Sequence, residues 1–537
     1  MSSVTPFLQH LIAGQTPASP EDRYALTDGA DTLAGAFTAL GDQTSEQVEQ
    51  LSAILAQGRR VRVPFLRALA NSLLGLRGRD PADLRRAVEA ALLADLTLAE
   101  EVGTLNALAR LLFGSTNLPR DLVTQAVERD HLRALFARVV RRIAGIYDAE
   151  FAPRGWPRAR TGRVVVMTQQ FIDPSHAPTR SALSFARTLA DDFGKQVLIL
   201  CTKEYFDAPA GCILPLFRAN VLDQISGRTT VSFEGRAYDF FQPPGNRFDA
   251  GAVRACLDQL FEFQPEMILS LGGRNLVAEV LGEHAYLMMY PTTGGLPLTD
   301  VHDFSLWDEP GDDQRARMAR EGIDTRFLFA QHPGFDLLPR AEGAARADYG
   351  LPEDAFVFAV VGMRLHFEID DAFVAMARRL FEHPRAHIAF AGHFNTYEAL
   401  CAAHPELAAR SHFVGFQRDI MRFFSVCDGY INPDRAGGGS AIVYAMAAGL
   451  PALSLARGDA GVAVKNLPPL ADYDALAAAG RALVDDADLR DTYRRLGAEA
   501  AAAHGSRRPF VARILDAFEA DCARHGLAGP DRSGARA

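Results

Sequence analysis

The sequence predicts an α/β chain in which two Rossmann-like domains follow an all-α domain. Three observations carry this. Apolar residues repeat at three and four spacing from about residue 20 to residue 150. Strand-like apolar runs then alternate with helical segments twice, from Arg163 to about residue 330 and again from Phe356. Last, three glycines, Gly437 to Gly439, stand between a strand and an Ala-rich helix. The domains expected are 1–155 (all-α), 156–335 (first Rossmann-like), 336–525 (second Rossmann-like) and 526–537, a disordered tail.

The helical part is carried by segments such as LRRAVEAALLADL and LRALFARVVRRIAGIYD, with Asp80 and Pro81 as an N-cap and first-turn proline. No fixed repeat period is found, so a solenoid is not expected. The Pro, Gly and Arg run FAPRGWPRARTGR is a linker. After it come the strand RVVVMT, a loop with Asp173 and His176, a helix over about Ser181 to Phe193 and the strand QVLILC. TTVSFEGRAYDFF alternates with period two and predicts a hairpin; MILSLG and AYLMMY complete the parallel set. The loop after AYLMMY, holding Thr292, Gly294 and Gly295, lies at a strand's carboxyl end and is a candidate acceptor-side element. TDVHDFSLWDEPGDDQ carries too many Asp and Pro residues for a helix or central strand and predicts a surface loop over a cleft. In the second domain the strands are FVFAVVG, HIAFAG, HFVGF, DGYIN and PALSL, and two or three helices close the chain.

Composition narrows the partners. A length of 537 residues is too long for one core, and 48% hydrophobic with 23% charged residues is ordinary for a globular enzyme. A net charge of −10 with no polybasic run argues against nucleic acid. The six cysteines show no metal-type spacing and predict buried thiols in a reducing compartment. With no apolar stretch of membrane-spanning length, a cytoplasmic protein is expected.

The order of motifs in the C-terminal half resembles the GT-B glycosyltransferases over about residues 160 to 525: a strand ending in GMR, a V-G-F strand, a strand ending in NP, then GGGS, AMAAGLP and GD. The stretch resembles that of bacterial members with an N-P-x-R-x-G-G-G-S loop and a following L-x-x-G-D segment. The resemblance implies a sugar transferred from a nucleotide-sugar donor, UDP-linked in the first instance, to a hydroxyl acceptor, a protein among the candidates, without a metal or other cofactor. It implies that Arg364 points at the donor diphosphate, that Gly438, Gly439 and Ser440 supply backbone N–H groups and a hydroxyl to it, and that Val414, Gly415 and Phe416 line the nucleobase slot. Many retaining members carry a ribose-binding Glu where this chain has Tyr444, and the earlier Glu of that motif falls near Ala436. Two other readings keep the fold: a sugar-nucleotide epimerase or phosphorylase, and a degenerate binding scaffold.

The residues admit these chemistries beside plainer ones. His176 is a candidate base for an acceptor hydroxyl, or a loop His that caps the next helix; Asp173 is a second base candidate. Arg435 reaches for phosphate or is a solvated loop residue. His393, after FAG, is a candidate contact to the nucleotide. Lys465, one of three lysines in the chain, contacts phosphate or solvent. Tyr444 stacks on the ribose or packs in the core. The one D-x-D pair, Asp486 and Asp488, precedes a helix and is an N-cap rather than a metal site. The helical domain is a candidate surface for a partner or a second copy of the chain.

Overall fold

A computed structural model of the chain describes residues 81–94, 96–113, 120–174, 176–205, 225–245, 247–291, 298, 303–306, 308–325, 328–341 and 343–527. The helices expected before residue 81, the loop residues Thr292, Gly294 and Gly295, and the tail from residue 528 lie outside the described residues. Described helices of the first domain are α1 (Pro81–Leu93), α2 (Leu98–Phe113), α3 (Arg120–Ala126) and α4 (Arg129–Glu150). Helix α2 is buried nearly all round, Leu98 through Ala109 without a break, and Glu100, Glu101, Thr104 and Asn106 are buried with its apolar residues. Its pitch is fixed by Glu101, whose carboxylate meets Arg138 at 2.7 Å and Arg142 at 2.9 Å, two residues one turn apart on α4.

The first sheet has the order β3-β4-β2-β1-β5-β6-β7-β8. Its strands are β1 (Arg163–Thr168), β2 (Gln196–Cys201), β3 (Gly227–Phe233), β4 (Arg236–Gln242), β5 (Met267–Leu271), β6 (Tyr286–Tyr290), β7 (Asp303–Leu306) and β8 (Leu328–Ala330). All neighbours are parallel except the hairpin β3–β4, which is the hairpin the alternation predicted. Helices α5 (Ala177–Asp191), α6 (Ala250–Phe263) and α7 (Asp312–Arg320) belong to this domain. Side chains alternate across the sheet: Val164 and Val166 join one apolar cluster, Val165 and Met167 the other, which also holds Leu105 and Leu108 of α2. The helical domain therefore roofs one face of this sheet.

One expectation is overturned. Within TDVHDFSLWDEPGDDQ, Asp303–Leu306 is a strand paired with β6, and the helix α7 begins at Asp312. The four strand residues DFSL bury Phe304, Ser305 and Leu306 fully. Asp303 itself accepts a hydrogen bond from the Tyr286 hydroxyl at 2.5 Å, which accommodates a carboxyl at the strand's start.

The second sheet is wholly parallel, ordered β11-β10-β9-β12-β13. It comprises β9 (Phe356–Gly362), β10 (Ala386–Gly392), β11 (Ser411–Gly415), β12 (Gly429–Ile431) and β13 (Ala452–Leu453). Its helices are α8 (Leu365–Glu368), α9 (Asp371–Leu380), α10 (Tyr397–Ala403), α11 (Pro405–Arg410), α12 (Ile420–Phe424), α13 (Gly439–Ala447), α14 (Gly458–Ala463), α15 (Tyr473–Asp485) and α16 (Ala487–His504). Aspartates cap helices of this domain: Asp370 accepts from Phe373 N at 2.9 Å and Asp486 from Leu489 N at 2.9 Å. Each cap contributes about 0.5–2 kcal/mol. Asp486 of the D-x-D pair is thus an N-cap.

The last helix, α17 (Arg508–Arg524), follows the second sheet in sequence but packs on the first. Phe510 meets Phe185 and Tyr290, and Arg160 donates twice to Glu519 at 2.6 Å. The chain thus crosses between domains at 331–341 and again at 504–508. The crossings touch: Phe335 N donates to the His504 carbonyl at 2.6 Å, and Gly334, at φ +74, lies so close to the Ser506 carbonyl that a Cβ would collide with it. Among the described residues no helix is long and apolar enough to cross a membrane.

Candidate active site

Both sheets have a topological switch point, where neighbouring strands send their connections to opposite faces: β1/β5 in the first sheet and β9/β12 in the second. Open α/β sheets bind ligands there, outside the carboxyl ends. The candidate residues fall at these two points.

In the second domain the strand β12 runs into Asn432-Pro433-Asp434-Arg435 and then the glycines. Gly438 is the N-cap of α13 with φ +97, a conformation that side-chain-bearing residues rarely adopt, and the helix has no side-chain cap. The N–H groups of its first turn, Gly439 and Ser440 included, therefore open on the switch point. Arg364, N-cap of α8 at the end of β9, lies beside the loop: a Cβ at Gly437 would stand 3.9 Å from Arg364 Nη2.

Beneath the loop is a buried ionic knot. Arg435 donates to Glu368 at 2.7 Å, to Asn432 Oδ1 at 3.0 and 2.7 Å, to the Val361 carbonyl at 2.9 Å and to the Tyr430 hydroxyl at 3.3 Å. Its side chain is 7% exposed. Arg435 is thus neither a solvated loop residue nor directed at the cleft; it holds the glycine loop to the ends of β9 and β12. Arg364 donates to the other Glu368 oxygen at 3.2 and 3.3 Å. Burial pushes the Glu368 pKa up, but Arg435 and Arg364 outweigh it and the net shift is downward. Glu368, Asn432 and Tyr430 were not singled out from the sequence; Glu368 lies four residues after Arg364, the one-turn spacing that signals a helical pair.

At the ends of the neighbouring strands, exposed His393 after β10 stacks on Phe416 after β11, with ring centroids 5.8 Å apart and planes at 27°. Phe416 is 40% and Met363 51% exposed. Gly415, at φ +71, turns the chain between Val414 and Phe416. Together these make an aromatic ledge at the carboxyl ends of β10 and β11.

Across the cleft, the loop after β1 carries Asp173 and His176. His176 caps α5 in position, and its Nδ1 lies 2.9 Å from Thr179 Oγ1, which also accepts from Ile172 N at 2.9 Å. Burial brings the His176 pKa down to about 4, opposed by Asp173 and assisted by the charge of Arg110. The imidazole is therefore neutral at physiological pH. Asp173 is exposed, and its carbonyl accepts from His176 N at 3.0 Å. Behind them Glu204 is fully buried; burial pushes its pKa up to about 7 against hydrogen bonds from Gln169, Thr202 and Leu276 N. It ties together the loops after β1, β2 and β5.

Two other candidates face the opposite domain. Lys465 Nζ lies 2.8 Å from Asp308, so it clasps the loop after β7. Tyr444 on α13 lies within electrostatic reach of Arg180 of α5, which offsets part of the rise that burial gives its pKa. Among the described residues no group of three or more His, Cys, Asp or Glu side chains comes together to hold a metal.

These contacts bring the carboxyl ends of the two sheets together across one cleft, which is the two-domain arrangement called GT-B. No protein-family model matches the chain, and no curated protein does. Among solved structures, Anabaena HepE in complex with UDP and glucose is similar over 66% of this chain and 100% of its own, at 14% identity and TM-score 0.47. A glycosyltransferase from Rickettsia africae gives 67%, 98%, 10% and 0.47 in the same order, and the Thermobaculum terrenum O-GlcNAc transferase 98%, 99%, 13% and 0.49. The fold class rests on the sheet topology of this chain.

Proposed function

We propose that the chain is a glycosyltransferase that moves a sugar from a nucleotide-sugar, a UDP-sugar in the first instance, to a hydroxyl acceptor held by the first Rossmann-like domain. The observation that carries the reading is the pairing of Arg364 with the open N-terminus of α13 at the β9/β12 switch point. Breaking the glycosidic bond leaves negative charge on the diphosphate. A helix N-terminus stabilises such charge by about 0.3–2 kcal/mol, and a charge-assisted hydrogen bond by about 1.5–3 kcal/mol. The His393–Phe416 ledge is the surface on which the nucleobase stacks. His176, neutral and anchored through Nδ1, presents Nε2 as the base that takes the acceptor proton. On this reading charge is balanced by protein groups, without a metal. A protein remains among the acceptors proposed, and the helical domain is the surface proposed for it.

Calorimetry tests the donor site. UDP or GDP is expected to bind the wild type, and Arg364→Ala to weaken that binding about 10- to 100-fold. Equal affinities in the two proteins would sink the reading. For His176, UDP release from UDP-glucose should be nearly flat from about pH 5 to pH 8, with an acid limb near the pKa of about 4. His176→Ala should lower kcat by about 100-fold or more with UDP affinity unchanged. An acid limb that survives in the variant would remove His176 from the chemistry.

A further inference from the structure

One face of helix α2 runs between the two Rossmann-like domains. Asn106, Arg110 and Phe113 are spaced four and three residues apart and so form a single stripe. At its first residue, Asn106 Nδ2 donates to the Glu204 carbonyl at 2.7 Å, and its Oδ1 accepts from Arg274 at 3.4 Å; both partners belong to the first domain's switch point. At its last residue, the Phe113 ring lies 4.8 Å beneath the guanidinium of Arg364, in the second domain. Arg110 sits between these anchors.

We propose that α2 completes the donor site: Arg110 and Arg274 form, with Arg364, one anion-binding pocket that takes the diphosphate of the donor. The identity of that anion rests on the donor reading above. Three guanidinium groups delivered by three different domains repel one another where partial burial removes the water that would screen them; Glu368 offsets part of the Arg364 charge, and a bound diphosphate would offset more. Burial lowers the Arg110 pKa, Tyr205 opposes this, and Arg364 and Arg274 lower it further. Arg274 is pinned with Nη2 at the Tyr205 hydroxyl and its guanidinium 5.2 Å from the Tyr205 ring centre, while its Nε is buried and makes no hydrogen bond. A buried donor left in that state costs about 1–3 kcal/mol, which a phosphate oxygen would recover. Phe113 is the part of the stripe that covers one side of the Arg364 guanidinium. Arg110 also lies within electrostatic reach of His176, so the pocket stands between the base and the donor loop.

Inorganic pyrophosphate is the direct probe, titrated calorimetrically into the full chain, with UDP in parallel. Arg110→Gln and Arg274→Gln should each weaken pyrophosphate about 10-fold or more and reduce the salt dependence of binding. Arg110→Lys, which keeps the charge and loses the fork, should fall between. Removing a charge from a like-charged cluster should leave the unfolding midpoint of Arg110→Gln equal to or above that of the wild type, which a purely structural role would not do. The pocket is overturned if the wild type binds no pyrophosphate, or if either Gln substitution leaves its affinity unchanged; should one variant fail to fold, the other decides. If pyrophosphate binding depends on Arg110 but neither UDP nor GDP binds, the pocket stands and the donor reading falls. If UDP binding depends on Arg364 and not on Arg110, the donor reading stands and this pocket falls.

Discussion

Replacing Glu368 by alanine is expected to destabilise the protein by about 3–5 kcal/mol, the cost of leaving a buried charge without its partner. The charge is that of Arg435, whose side chain is 7% exposed against 8% for Glu368. Four further hydrogen bonds, to the three acceptors Asn432 Oδ1, Val361 O and the Tyr430 hydroxyl, hold Arg435 in place, so it cannot swing out to water without releasing the ends of β9 and β12. Urea unfolding followed by far-UV circular dichroism measures the loss; a change below about 1 kcal/mol would mean that Arg435 is rehydrated and that the knot is not structural. The same pair sets a pH dependence. The folded-state pKa of Glu368 lies below its ordinary value of 4.5, so its stabilisation is fully present above that value and is lost as pH falls through the folded one. Wild type should therefore lose stability more steeply than Glu368→Gln on acidification below about pH 4.5.

Gly438→Ala is expected to abolish nucleotide binding, by 100-fold or more, and to cost about 1–3 kcal/mol of stability. At φ +97 the backbone is one that a Cβ strains, and the added methyl would collide with Asn432 Oδ1 and approach Arg435 Nε to 2.7 Å. Both atoms belong to the buried knot, so the loop moves rather than the knot, and the N–H groups of α13 turn away from Arg364. Gly437→Ala makes the comparison clean, because its Cβ would meet only Arg364 Nη2, at 3.9 Å. Nucleotide affinity that survives in Gly438→Ala would show that the loop is not the anion site.

How much of this could be read from the sequence follows from how local each feature is. The parallel strands are continuous apolar runs, and the glycine turn, the Asp N-caps and the period-two hairpin are fixed by residues within one turn or strand pair, so they were legible. DFSL was not: four residues between Asp- and Pro-rich flanks look like loop, and only the neighbouring β6 makes them a strand. Arg435 reads like any loop arginine until β9 and Glu368 are placed around it. Lys465 and Tyr444 find Asp308 and Arg180 across the cleft, partners 157 and 264 residues away by number, which no periodicity encodes. The stripe Asn106–Arg110–Phe113 was hidden for the same reason, since α2 is apolar enough to pass as an ordinary core helix.

The return of α17 to the first sheet has a consequence for synthesis. Arg158 before β1 is ion-paired with Asp521, 363 residues later, and the face that buries Phe185 and Tyr290 is covered by Phe510. At about 5–20 residues per second a ribosome leaves that face uncovered for tens of seconds after β1 has emerged. The first Rossmann-like sheet is begun early and sealed last, so a chain truncated before residue 508 would carry an exposed aromatic surface, and its fate in the cell would depend on chaperones rather than on the donor site.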